Sequence, residues 1–168
     1  SQTVTGVQTC ALPIWRRPDG SRPDVHADGI ALDLETGWLY YQSLTGRTLY
    51  RINTKWLNDP DIKDWQLAEK VQKVAEPGPA DGLAWDPHSR RVLLTSLELN
   101  AIRALDPETG DVDVLVQDPR IAWPDSIAVI REAYPWNLRL LFTTSQIHLP
   151  PEQRGSYRLF EVVDEPRP

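Results

Sequence analysis

Asp28–Ile52 reads DGIALDLETGWLYYQSLTGRTLYRI, and Asp81–Leu105 reads DGLAWDPHSRRVLLTSLELNAIRAL. Set one above the other, they align without a gap. Asp28 falls on Asp81, Gly29 on Gly82, Ala31 on Ala84, Asp33 on Asp86, Ser43 on Ser96 and Leu44 on Leu97. A looser third copy opens at Asp125 with DSIAV and resumes after a longer turn as LLFTTSQI, Leu140–Ile147. Self-similarity at a nearly fixed period marks a repeat architecture and has to be read before single elements are assigned.

Each copy has the same internal order. A short strand comes first, over Gly29–Asp33, Gly82–Asp86 and Ser126–Ile130. Turn formers follow it, as DLETG and DPHSR. A second strand is rich in β-formers (WLYYQS, RVLLTS, RLLFTTS), and a third follows after a break (TLYRI, AIRAL, RLFEVV). A fourth is visible in one copy, DVDVLVQD at Asp111–Asp118. Four short strands per repeat of about 40–55 residues describe one blade of a β-propeller. The competing reading, a β-sandwich, leaves the ungapped self-match to accident. One stretch breaks the β pattern: NDPDIKDWQLAEKVQKV, Asn58–Val74. Asp59 can cap a helix whose first position is Pro60, and Ile62, Trp65, Val71 and Val74 fall roughly on one face. The expectation is an all-β chain of about three blades, with one short amphipathic helix inserted between blades.

Composition narrows the function classes. Over 168 residues, 40% hydrophobic and 25% charged residues fit a globular chain. A net charge of −6, with no basic run interleaved with aromatics, argues against a nucleic-acid binder. No apolar run approaches the ~18 residues that a membrane span needs. The single cysteine, Cys10, excludes an internal disulfide framework and a cysteine-rich zinc site. Residues 1–14 carry no charge, and the whole chain holds no methionine. Three blades leave apolar faces and strand edges open where a closed ring would cover them. The chain is therefore expected to be a portion of a longer propeller, and alone to dimerise or dissolve poorly.

The motifs DGIALDLETGWLYYQSLTGRTLYRI, DGLAWDP, TSLELNAI, LVQDPRIAWPDSIAV and TTSQIHLP resemble the Yellow / major royal jelly protein family, and more narrowly its bacterial members. The resemblance runs over roughly Val25–Val163. It implies a six-bladed propeller, with residues 15–168 as the C-terminal part of a single domain whose repeats start near 28, 81 and 125. The N-terminal half of the same propeller would then be the missing partner. It also implies an extracellular or periplasmic location. The opening VTGVQTCALPI resembles a translated sequencing-adapter string, which implies that residues 1–14 are a non-native leader.

Propellers place ligand sites at one mouth of the channel lined by the innermost strands. The repeat heads Asp28, Asp81 and Asp125 are the first candidates. Converging carboxylates would suit a hard divalent cation such as calcium, or an amine. Equally, Asp before Gly is an ordinary turn residue that satisfies a nearby N–H. A second set follows the two TS strand ends: Glu98 with Asn100, and Gln146 with His148. Each pair is spaced i, i+2, and the first copy has Thr45 and Arg47 instead. The plain alternative is that Glu98 and Gln146 bond backbone between blades. His26 reads as a loop residue and His88 as an exposed turn residue. Trp38, Trp85, Trp123 and Trp136 read as blade and mouth packing, with one or two available to stack on an aromatic ligand. No nucleophile elbow, phosphate loop or HExxH pair is present.

Several functions remain open on these residues. One is binding of a small organic molecule in the channel, as the amine-binding members of the resembled family imply. Another is a metal-dependent lactonase. The DG repeats are also similar to those of senescence-marker / gluconolactonase propellers, where a channel metal polarises a lactone and activates water. Asp81 and, less strongly, Asn100 would be its ligands. A dopachrome-type tautomerase would need a general base, with Glu98 or His148 available. A non-catalytic scaffold completes the set.

Overall fold

Turn chemistry fixes where the strands end. Asp33 accepts the backbone N–H of Glu35 at 3.0 Å and also the Thr36 hydroxyl. Asp86 accepts the N–H of His88 at 3.1 Å and the Ser89 hydroxyl at 2.6 Å. Asp106 accepts the N–H of Glu108 at 2.8 Å. These are Asx turns, in which a short side chain does the work of a backbone carbonyl. Each ends on a left-handed residue: Gly37 at φ 76°, Arg90 at φ 54° and Gly110 at φ 82°. Only the middle turn fills that position with a side chain.

The computed structural model describes residues 21, 23, 25–131 and 138–163. Residues 1–14 and Trp136 lie outside the described residues. Within the described residues, three antiparallel meanders form. The first is β1 (Ala27–Leu32), β2 (Trp38–Ser43), β3 (Leu49–Asn53) and β4 (Gln72–Ala75), paired in that order. The second is β5 (Ala80–Asp86), β6 (Arg91–Ser96), β7 (Ala101–Leu105) and β8 (Val112–Gln117). The third is β9 (Pro124–Arg131), β10 (Leu138–Thr144) and β11 (Arg158–Val163). Registers repeat with the sequence: Tyr40 stands opposite Ala31 and Arg51, and Leu93 stands opposite Ala84 and Ala104. The repeat reading of the fold is therefore correct: the sheets are blades of a β-propeller. Among the described residues no helix is long and apolar enough to cross a membrane.

The insert differs from its sequence reading. Asp59 does not cap a helix; its carboxylate accepts the N–H of Asp61 at 3.0 Å in a tight turn. Two short helices form instead, α1 (Thr54–Leu57) and α2 (Asp64–Ala68). Asn53 caps the first by accepting the Lys55 N–H at 3.1 Å. Gln66 reaches back to the Lys63 N–H at 3.0 Å at the start of the second. Residues 72–75 leave the helical path because β3 offers an open edge, on which Gln72 pairs with Arg51 and Ala75 with Leu49. The first blade thus has a fourth strand, and the helices sit inside that blade rather than between blades. The expected single apolar stripe divides accordingly. Val74 packs into the core between the sheets, Val71 lines an apolar pocket under the helices, and Trp65 is left 65% exposed.

The middle sheet is buried on both faces, so its strands read as continuous apolar runs. Val92, Leu94 and Leu105 face the first sheet beside Tyr40 and Leu49. Leu93, Ile102 and Ala104 face the third sheet beside Leu140 and Phe142. Each fully buried leucine contributes about 2 kcal/mol of transfer free energy. The helical insert covers part of the first sheet's other face, which stays open at β1: Ile30 is 60% exposed and Leu32 38%.

The innermost strands β1, β5 and β9 lie side by side, and the glycine of each DG pair is the reason they can. A Cβ on Gly29 would stand 2.6 Å from the Asp81 carbonyl oxygen. A Cβ on Gly82 would lie closer still to the Asp125 carbonyl oxygen. Each glycine thus seats its strand against the backbone of the next repeat's aspartate.

Candidate functional site

That close seating carries Asp28, Asp81 and Asp125 to one end of adjacent innermost strands. The Asp81 carboxyl is pushed up to about 6 from 3.8. Burial is the main cause, and the charges of Asp125 and Asp28 add to it; a hydrogen bond from Trp123 works in the opposite direction. A side-chain contact with Asp28 adds a smaller push in the same direction. Asp81 thus feels the negative charge of both neighbouring aspartates, which disfavours its own ionised form.

Trp123 is the residue the sequence reading under-used. Its indole N–H donates to Asp81 Oδ2 at 2.7 Å, and its ring lies on the His148 imidazole, with centroids 4.9 Å apart and planes within 7°. It is 3% exposed and packs with Leu44 and Leu97. Its φ of 52° is unusual for a bulky residue. The following Pro124 further restricts its backbone. Such a conformation costs roughly 1–3 kcal/mol and persists only where surrounding contacts enforce it. Its own carbonyl accepts the Ser145 N–H at 2.8 Å, tying the loop to the third blade. The signal was present as the order Trp-Pro-Asp at 123–125, but its meaning depends on the fold.

His148 is half-buried, and its Nδ1 has no hydrogen-bond partner. Burial, with Arg154 nearby, lowers its pKa, so the imidazole is kept neutral. The other TS-end residues are committed elsewhere. Glu98 makes a two-pronged ion pair with Arg47 of the first blade, at 2.9 and 3.1 Å. The residue that looked like a chemical mismatch in the first copy is thus the partner of the equivalent region in the second. Gln146 bonds backbone, as the plain reading had it, but within its own blade: it accepts from Gly155 N–H at 2.7 Å and donates to Ser156 O at 3.0 Å. Asn100 adopts a left-handed conformation, φ 49° and ψ 52°, closing the 3-10 turn Leu97–Leu99. Asparagine tolerates that region well, which gives a local reason for its presence.

The fit to a metal is incomplete. The donors are oxygens, as a hard cation requires. Yet among the described residues no three His, Cys, Asp or Glu side chains are gathered as a metal-holding group. His26 is exposed and offers its backbone carbonyl to Leu44 N–H at 3.2 Å. His88 sits exposed in the Asp86 turn. Trp38 and Trp85 lie at the opposite end of the blades. Arg51 covers Trp38 at 4.4 Å from the ring centre, and Trp85 stacks on Tyr40 at 5.5 Å.

No protein-family model and no curated protein matches the chain. Solved structures do. The chain is similar to a gluconolactonase from Xanthomonas campestris, at 16% identity and TM-score 0.58, over 83% of this chain and 44% of that one. It is similar to the calcium-binding protein regucalcin from Agrobacterium tumefaciens, at 15% identity and TM-score 0.56, over 81% and 45%. A luciferin-regenerating enzyme aligns at 15% identity and TM-score 0.57, over 83% and 45%. The chain spans less than half the length of each of these proteins. At such identity the likeness establishes the fold alone, a β-propeller.

Proposed function

We propose that the end of the channel where β1, β5 and β9 begin binds a small organic cation, a primary amine, between the carboxylates of Asp28, Asp81 and Asp125. The observation that carries this reading is the placement of the three aspartates at one end of adjacent innermost strands, where the charges of Asp125 and Asp28 act on Asp81. Acids crowded together are stabilised by whatever brings a positive charge among them. An ammonium group offers three N–H donors and a positive charge to carboxylates, which supply acceptors and negative charge. The resemblance to the Yellow / major royal jelly family, with its amine-binding members, supports the same reading and suggests an exported protein. Because Asp81 holds a proton below about pH 6, amine binding expels that proton, and affinity falls as the pH drops through this value.

Titration calorimetry of the chain with phenethylamine and with putrescine tests the proposal. Saturable binding at about pH 7.5 that weakens towards pH 5, and that Asp125→Asn reduces, is the expected result. Absence of binding by both amines overturns it.

The second reading is a divalent-cation site of a lactone hydrolase. The fold shared with a gluconolactonase and a calcium-binding regucalcin favours it. Asp81, Asp125 and Asp28 would be the available oxygen donors, and the cation would supply Lewis acidity towards a lactone carbonyl. Calcium-dependent thermal stabilisation together with gluconolactone hydrolysis would select this reading over the amine.

A further inference from the structure

We propose that Trp123, held in place by His148, is the positioning residue that orients the Asp81 carboxylate in the binding site. The proposal rests on the reading that the three carboxylates form that site. Among the described residues, Trp123 supplies the one N–H that reaches the Asp81 carboxylate, at 2.7 Å. The other groups near that carboxylate, Asp28 and Asp125, repel it when charged. The Trp123 N–H is therefore the contact that fixes where Asp81 Oδ2 points against that repulsion.

Trp123 does not hold this place by local preference. Its left-handed backbone ahead of a proline is disfavoured. The parallel His148 imidazole, 4.9 Å away on the loop after β10, lies flat on the ring, which also packs against Leu44 and Leu97. Asp81 belongs to the second blade, Trp123 to the crossover, and His148 to the third. The orientation of a second-blade carboxylate therefore depends on a third-blade ring. His148 acts here through its flat face, which leaves its buried Nδ1 without a role in the contact.

The indole N–H resonances of the seven tryptophans provide a direct readout in nitrogen-15 NMR, with Trp123→Phe assigning the signal that disappears. Asp81→Asn should move the Trp123 signal upfield, since an amide oxygen is a weaker acceptor than a carboxylate. His148→Ala should move it too, and His148→Phe, which keeps a flat ring, should restore it. In parallel, phenethylamine affinity should fall about fivefold or more in His148→Ala and return to within about twofold of the parent in His148→Phe. A Trp123 signal unmoved by Asp81→Asn overturns the proposal. So does a His148→Phe variant that behaves like His148→Ala, because the imidazole nitrogens and not the ring face would then matter. If the parent chain binds no amine, the functional reading fails, and the NMR arm alone decides the positioning role. If Trp123→Phe does not fold, the signal that moves in both Asp81→Asn and His148→Ala identifies Trp123, and the remaining variants carry the test.

Discussion

Replacing Asp81 by Asn should stabilise the chain, and by an amount that depends on pH. The carboxyl titrates at about 6 in the fold against 3.8 for the unconstrained group. The native state thus keeps a proton that the unfolded chain releases. Stability associated with that proton is fully present below about pH 4 and is lost as the pH rises through about 6. At about 1.4 kcal/mol per pH unit, the interval corresponds to about 3 kcal/mol. Asp81 is only partly buried, and solvent screening reduces this to about 1–2 kcal/mol. Asparagine keeps an oxygen to accept the Trp123 N–H but carries no charge to desolvate. Urea unfolding followed by tryptophan fluorescence, at steps from about pH 4 to pH 8, measures the difference. The two proteins should nearly coincide at the acid end. The variant should pull ahead between about pH 4 and 6 and then hold a constant lead. A variant that is less stable at every pH, by an unchanging amount, would refute the reasoning. Asp81 would then be an ordinary turn acceptor whose charge the fold tolerates without penalty.

Other outcomes follow from the packing. Gly82→Ala should lower stability by about 3 kcal/mol in thermal unfolding, because the new methyl meets the Asp125 backbone carbonyl, which cannot rotate away. Arg90→Gly should raise stability by up to about 1 kcal/mol in the same assay, by removing the one side chain from the left-handed ends of the Asx turns among the described residues. Replacing Ile30 and Leu32 together by Thr should reduce self-association in light scattering, since both lie on the open face of the first sheet, 60% and 38% exposed.

The blade repeat was legible because β-sheets advertise themselves locally. The Asp-Gly heads, the Asx turns after β1 and β5 and the alternating second strands each occupy a few consecutive residues. The fourth strand of the first blade was not legible. Gln72–Ala75 pairs as a strand because β3 lies beside it, whereas its own sequence, within an apolar spacing near 3.6, suggests a helix. The three aspartates were identified as a group from their place in the repeat, yet their mutual proximity depends on Gly29 and Gly82. The ion pair of Arg47 with Glu98 joins residues far apart in sequence, and no local rule connects them. Trp123 was visible as a tryptophan but not as a hydrogen-bond donor, since its role requires a backbone conformation that tryptophan rarely adopts.

The two inter-strand glycines also act as a spacing gauge. Gly29 and Gly82 set the β1–β5 and β5–β9 separations at the distance of bare backbone. The third repeat has Ser126 at this position, and its side chain is exposed. A strand approaching β9 as β5 approaches β1 would meet a hydroxymethyl group where the earlier contacts meet a hydrogen atom. The bare-backbone spacing set on both sides of Asp81 is therefore not carried over to the free edge of β9.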